Sequence, residues 1–309
     1  MEVWGLYSDK GGVTKTSSIL NLAASLKALQ PDARIAVMDL CPDHGHLSKR
    51  YAMEREQAFE GVFRVVEVMT DPRQSSKENI SQAVRASVGA IQVIPGTDEE
   101  RGCISFINIG VALGKRFRSI PELTNPNTCH QFGQKLLEAY EAELGLDFIF
   151  VDLPGAVDEV MVRAVLPNCA CVAIPIDVRD SINLAEADTL VAKLRERGVE
   201  PSAFLKTFVE PGGKAPSSQI YAEECLAELS QIVGVPVLPG GIPNRPSMVN
   251  ALVPADSEIE GIPQSAGVYM AAAAKGITAG QRGVYLRAIG SFEGTVEQML
   301  SPTTATQVG

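Results

Sequence analysis

Apolar residues recur along this chain in two rhythms that take turns. Short, mostly apolar runs occur at Val3–Tyr7, Ile35–Met38, Ala90–Ile94, Phe148–Val151, Cys169–Ile174 and Ala203–Val209, with Gln92 and Lys206-Thr207 as polar interruptions. Between them, apolar residues return at every third or fourth position. The short runs have the length and β-branched content of strands buried on both faces, and the spaced ones fit amphipathic helices. Ile19, Leu20, Leu22, Ala23, Leu26 and Leu29 make one such helical face, which Gln30-Pro31-Asp32 ends. Ile182, Leu184, Ala185, Ala187, Leu190, Val191 and Leu194 make another. Further helices are predicted over Phe59–Met69, from Ser76, over Leu136–Leu144 with Gly145 as the stop, and over Ile220–Ile232. Val235–Pro239 reads as a further short strand, and alanine-rich helices continue from Pro263 to Leu300.

This alternation runs from residue 3 to about residue 240 without a linker. It predicts a doubly wound α/β fold with a mostly parallel sheet and helices on both faces. We expect one domain over residues 1–300 and a polar, disordered tail over 301–309.

Composition narrows the function classes. The 309 residues are 45% hydrophobic and 21% charged, as in globular proteins with a substantial core. No apolar run reaches the roughly 18 residues that a membrane helix needs, and the N-terminus reads as a strand, so we expect a cytoplasmic protein without a membrane anchor. The polar tail lacks the basic amphipathic face of a membrane-surface helix. A net charge of −10 disfavours a surface that wraps nucleic acid, although Lys115, Arg116, Arg118, Lys275, Arg282 and Arg287 could make local phosphate contacts. The six cysteines form no C-x-x-C pair and read as buried thiols; Cys169 and Cys171, two apart on one strand, are expected to face the same side.

The chemistry is concentrated after the first apolar run, in Ser8-Asp9-Lys10-Gly11-Gly12-Val13-Thr14-Lys15-Thr16-Ser17. A strand–loop–helix junction with paired glycines, a lysine and a hydroxyl suits phosphate binding. Small residues let successive N–H groups wrap the anion, Lys15 reaches the outer phosphates, and the Thr16 hydroxyl holds Mg²⁺. The helix that follows points its positive end at the same place. Thr14 is β-branched, so the loop is expected to keep a negative φ there. Asp39 and Asp152 each end an apolar run at the sheet edge where ligands of such folds collect, and both are placed to order Mg²⁺ and water. Cys41, Asp43, His44 and His46 are also ligand types, but the sequence supplies no distant second pair to complete a zinc site.

Lys10-Gly11-Gly12-Val13-Thr14-Lys15-Thr16 resembles the deviant Walker A of the ParA/MinD family of ATPases. Asp152-Leu153-Pro154-Gly155 is similar to that family's switch II, and Asp39, Pro42, Leu47 and Ser48 fit its switch I with one extra residue. The chain is closest to the short ParA partition type. The resemblance implies ATP and Mg²⁺ as cofactors, with Gly11, Gly12, Val13, Thr14, Lys15, Thr16 and Ser17 around the phosphates and Thr16, Asp39 and Asp152 at the metal. It implies a homodimer formed on ATP binding, in which Lys10 of each subunit reaches the other's nucleotide. The segments around Pro211 and Pro239 correspond to those that shape the family's adenine pocket. A ParB-like stimulating adaptor and non-specific DNA are the partners it suggests, with nucleoid association if DNA is bound.

The departure is Cys41, which stands where the family carries the aspartate that positions the attacking water. Either Asp43 or Asp39 takes over, or hydrolysis is very slow; the corresponding functions are a dimerising cargo-positioning ATPase and an ATP-binding scaffold. A relative of the superfamily, the nitrogenase iron protein, holds a cluster with two cysteines per subunit. Cys103 and Cys129 do not follow Asp152 as its second ligand would.

Overall fold

The computed structural model describes residues 1–10, 14–41, 47–48, 61–109, 117, 119–155, 159–179, 181–210, 215–243, 269, 272–273 and 279–301. Eight strands form one sheet: β1 (Glu2–Leu6), β2 (Ile35–Asp39), β3 (Val88–Gln92), β4 (Cys103–Ile107), β5 (Phe148–Asp152), β6 (Cys171–Asp177), β7 (Ala203–Val209) and β8 (Ile242–Pro243). Their order is β3-β4-β2-β5-β1-β6-β7-β8, and every neighbouring pair is parallel except β3 with β4.

The strands are apolar at almost every position because both faces are covered. Along β5, Ile149 and Val151 enter one core while Phe150 enters the other; along β2, Ala36 and Met38 part from Ile35 and Val37 in the same way. One face carries α1 (Lys15–Leu29) and α8 (Ala279–Leu300), whose Ile19, Leu22, Phe292 and Val296 close over Trp4 and Phe150. The other carries α2 (Val62–Thr70), α3 (Lys77–Ala86), α4 (Cys129–Leu144), α5 (Val160–Val165), α6 (Ser181–Glu196) and α7 (Ser217–Val233).

Local signals set the helix ends. The Ser76 hydroxyl accepts the Asn79 N–H at 3.2 Å to start α3, and Gly145 at φ 61° closes α4. At Gly133 the backbones of α4 and α5 come so close that a Cβ there would lie 1.9 Å from the Ala164 carbonyl oxygen.

The doubly wound sheet is as predicted, with differences in detail. Helix α4 starts at Cys129, seven residues ahead of the expected Leu136, because Cys129, Phe132 and Gly133 already face the core. Strand β3 occupies 88–92 rather than 90–94 and runs antiparallel, since Pro95-Gly96 sits in a turn from which the chain doubles back into β4, which the apolar pattern did not announce. Val235–Pro239 is not a strand: it makes one bridge, Val237 to Phe204, because Pro236 and Pro239 lack the N–H a ladder needs. Cys169 and Cys171 pack against opposite cores; Cys169 follows a 3₁₀ turn and precedes β6, so strand alternation does not link them. The segments 302–309 and 263–268 lie outside the described residues. Among the described residues no helix is long and apolar enough to cross a membrane.

Candidate functional site

The strand order makes β2, β5 and β1 adjacent, so their C-terminal ends open side by side. Asp39 ends β2, Asp152 ends β5, and Ser8-Asp9-Lys10 leaves β1. Asp39 and Asp152 are paired across the β2–β5 register and are 0% and 2% exposed. Two carboxylates thus share a buried edge. Burial, and after it the neighbouring Asp39, pushes the Asp152 carboxyl up to about 7, while a hydrogen bond from the Thr16 hydroxyl and the charge of Lys15 act against this.

The Asp39 carboxylate is fixed by the loop that follows it. Asp39 accepts the Cys41 N–H at 3.0 Å on Oδ1 and the Ser48 N–H at 2.8 Å on Oδ2. Ser48 is held in turn, its Oγ accepting the Ile109 N–H at 3.0 Å from beyond β4. The Asp152 carbonyl accepts the Leu40 N–H at 2.9 Å, which ties the start of one loop to the end of the neighbouring strand. The turn after β5 rests against the loop after β1: a Cβ on Gly155 would lie 3.3 Å from the Asp9 carbonyl oxygen.

Lys15 opens α1, and its ammonium group donates to the carbonyl oxygens of Ser8 at 2.9 Å and Lys10 at 2.6 Å. Burial pulls its pKa down, with Asp152 as the leading opposing influence. Thr14 caps the helix at φ 64°, in the left-handed region, against the expected negative φ. The strain is held by the first turn: the Thr14 carbonyl accepts the Ser18 N–H at 2.8 Å and the Ser17 hydroxyl at 3.0 Å, and Thr14 Oγ1 lies 3.1 Å from Ser18 Oγ. Lys10 forms an ion pair with Glu186 of α6 at 2.8 Å.

Lys10, Thr14, Lys15, Thr16, Ser17, Asp39 and Asp152 are therefore brought to one edge. Pro239 is not: it lies between the bridge at Val237 and the pairing of Ile242 with Thr207, beside the middle of β7 and upstream of that edge. Gly11, Gly12, Val13, Asp43 and Pro211 lie outside the described residues, as do His44, His46, Lys115, Arg116, Arg118 and Lys275. Arg282 and Arg287 are exposed on α8. Cys103 donates to Gln92 Oε1, whereas Cys129 is buried beside the carbonyls of Pro126 and Arg163. Among the described residues no group of three or more His, Cys, Asp or Glu side chains is placed to hold a metal ion.

Three features of this edge escaped the sequence reading. Ser8 is buried, and it accepts the Lys10 N–H on Oγ at 3.2 Å as well as the Lys15 ammonium on its carbonyl. At the end of β6, Asp177 takes a bidentate grip on Arg179, whose guanidinium lies 3.5 Å from the centre of the Phe208 ring. Glu186 and Lys193, seven residues apart on α6, are the third; that spacing marks one helical face, which was the signal available.

No protein-family model matches the chain, and no curated protein matches it in sequence. Its fold is that of P-loop NTPases of the ParA/MinD type. McdA of Cyanothece, in its apo form, superposes with a TM-score of 0.65 at 15% identity, over 97% of this chain and 99% of that one. A candidate plasmid partition protein of Borrelia burgdorferi B31 bound to AMPPNP gives 0.59 at 14% identity, over 97% and 98% of the two chains. MinD of Aquifex aeolicus, in a complex with MinC, gives 0.59 at 14% identity, over 98% and 97%. At such identities the likeness establishes the fold, and function has to be argued from the site.

Proposed function

We propose that this protein is an ATP- and Mg²⁺-dependent ATPase of the ParA/MinD type that dimerises on ATP and positions a cargo. The observation that carries the reading is the convergence of Lys15, Thr16, Asp39 and Asp152 on one edge of the sheet. The residues fit a divalent cation, because two buried neighbouring carboxylates with the Thr16 hydroxyl beside Asp152 gain from a charge that neutralises both. They fit a phosphate chain because a buried ammonium group stands at the N-terminus of α1, held by the loop carbonyls of Ser8 and Lys10 at 2.9 and 2.6 Å, contacts that an anion readily replaces. Residues 1–300 serve as one ATPase domain, a reading supported by the packing of α8 on α1.

Bound Mg²⁺–ATP supplies the transferable phosphoryl group and the divalent charge. Lys15, which rests on the Ser8 and Lys10 carbonyls, would hold the phosphate oxygens. Thr16 and an ionised Asp152 would hold the cation. Asp39, fixed by two backbone N–H groups, would order water beside it. Lys10 contributes charge to the partner subunit's nucleotide, so assembly is driven by a ligand that binds the dimer better than the monomer.

Lys15→Ala should abolish ATP binding measured by calorimetry. Lys10→Ala should bind ATP with the wild-type affinity yet stay monomeric with ATP in sedimentation; an unchanged ATP dimer in that variant would overturn the arrangement. A ParB-like adaptor and non-specific DNA are the proposed partners, in a cytoplasmic and, with DNA, nucleoid-associated setting. Exposed Arg282 and Arg287 favour a modest phosphate contact, which a DNA titration across salt concentrations measures through its slope.

Cys41 favours a second reading, an ATP-binding scaffold with little turnover. Its N–H holds Asp39, but its side chain brings no carboxylate to the place where the resemblance expects one. Phosphate release separates the two: an inert wild type that gains turnover as Cys41→Asp is a scaffold.

A further inference from the structure

Two consecutive residues of the loop after β1 are paired with two positions on one face of α6, with the charges reversed between them. Lys10 Nζ lies 2.8 Å from Glu186 Oε2, and Lys193 Nζ lies 3.6 Å from Asp9 Oδ2. An acid–base couple in the loop thus meets a base–acid couple on the helix. The match is packed as well as charged: the gap between Ser8, Asp9, Lys10, Ile174, Glu186 and Leu190 holds only about 10 Å³, too little for more than a single water. Lys10 is consequently only 27% exposed, although its own loop leaves the sheet at an open edge.

We propose that Glu186 is a positioning residue that holds Lys10 in its own subunit until nucleotide is bound, and so sets the threshold for ATP-dependent dimerisation. The inference rests on the reading of Lys10 as the residue that crosses to a second copy. In the proposed dimer the Lys10 side chain turns from its own subunit to the partner's phosphates, which takes it away from Glu186, so each subunit must break this contact for the dimer to form. Lys193 and Asp9 keep the loop backbone docked while the Lys10 side chain changes partners. With Glu186 55% exposed, the pair is worth a small factor, roughly two- to fivefold per subunit. Because both subunits of a two-fold dimer release a lysine, the dimerisation constant carries that factor twice, about four- to twenty-five-fold.

The test compares wild type, Glu186→Gln and the conservative Glu186→Asp by sedimentation with ATP and Mg²⁺ over a range of protein concentrations, and maps the acetylation rate of Lys10 in the nucleotide-free protein. Glu186→Gln should dimerise at about four- to twenty-five-fold lower concentration and label faster at Lys10, while Glu186→Asp stays near wild type. The gap between Glu186→Gln and wild type should close as salt is raised, which loss of packing alone would not produce. A wild-type ATP dimer together with an unchanged or weakened Glu186→Gln dimer overturns the inference and leaves the proposed function standing. Absence of an ATP dimer in wild type and in Glu186→Gln alike overturns the proposed function and this inference with it. A dimer seen only in Glu186→Gln supports both.

Discussion

At the scale of single residues, the site is governed by burial of charge. Asp152 has its carboxyl raised above the ordinary carboxylate range by burial and then by Asp39, so the folded, metal-free protein holds a proton that the unfolded chain has given up. The nucleotide-free protein should therefore lose stability as pH rises from about 4 through the raised value near 7, and Mg²⁺ should bind more tightly over the same rise because it displaces that proton. Thermal unfolding across pH with and without Mg²⁺ checks both: the metal-free stability should fall over this range while the increment that Mg²⁺ adds grows. At position 14 a β-branched residue sits at φ 64°, a conformation that costs roughly 1–2 kcal/mol outside glycine. Thr14→Gly should then raise stability by about 1 kcal/mol in denaturant titrations while ATP binding persists, less whatever the Thr14–Ser18 hydroxyl contact contributes. The sequence named the loop, Lys15, Thr16, Asp39 and Asp152, because their roles follow from residue type and place in a strand–loop–helix pattern. It pointed to the wrong sign of φ at Thr14, where the first turn of α1 holds the left-handed conformation, and it could not name the pairing of Lys10 with Glu186, which depends on how the loop docks against a helix far away along the chain.

At the scale of elements, β1, β2, β5, β6 and β7 were legible because burial on both faces removes most polar positions and leaves largely apolar runs, whereas the two-residue β8 is too short to leave a pattern. Strand β4 was not, because Cys103-Ile104-Ser105-Phe106-Ile107 alternates between the two cores with small polar side chains on one of them, and its neighbour β3 turns back through Pro95-Gly96. The N-terminal part of α4 was hidden for a similar reason: its face toward α5 is made by Gly133 and Cys129, which carry little hydrophobic signal but allow two backbones to touch. Gly133→Ala should cost about 1–3 kcal/mol of stability by overpacking, since the added methyl meets main chain and not a movable side chain. Chemical denaturation reads this directly, and a neutral result would mean that α5 can move away freely.

At the scale of the whole molecule, α1 joins the site to the rest. Its first residues face the carboxylates, and its buried face packs against α8, which returns from the far end of the chain. Phe292 is fully buried there with Val296, Ile19 and Leu22 in the same core. Phe292→Ala should destabilise the fold by about 3–5 kcal/mol, and because it loosens the helix that carries Lys15 and Thr16, ATP affinity should fall with it. If stability drops while calorimetry finds ATP affinity unchanged, the two ends of α1 are uncoupled.

The margins of the sheet bear on how copies can meet. Among the described residues one margin is β3, five residues long and antiparallel to its one neighbour β4, and the other is β8, two residues long with a proline as its second. Neither offers a foreign strand much of a template, so polymerisation by tacking sheet onto sheet is poorly served. Higher-order assemblies of this protein should instead be built from loop and helix surfaces, and should come apart when nucleotide is removed and not persist as amyloid-like aggregates.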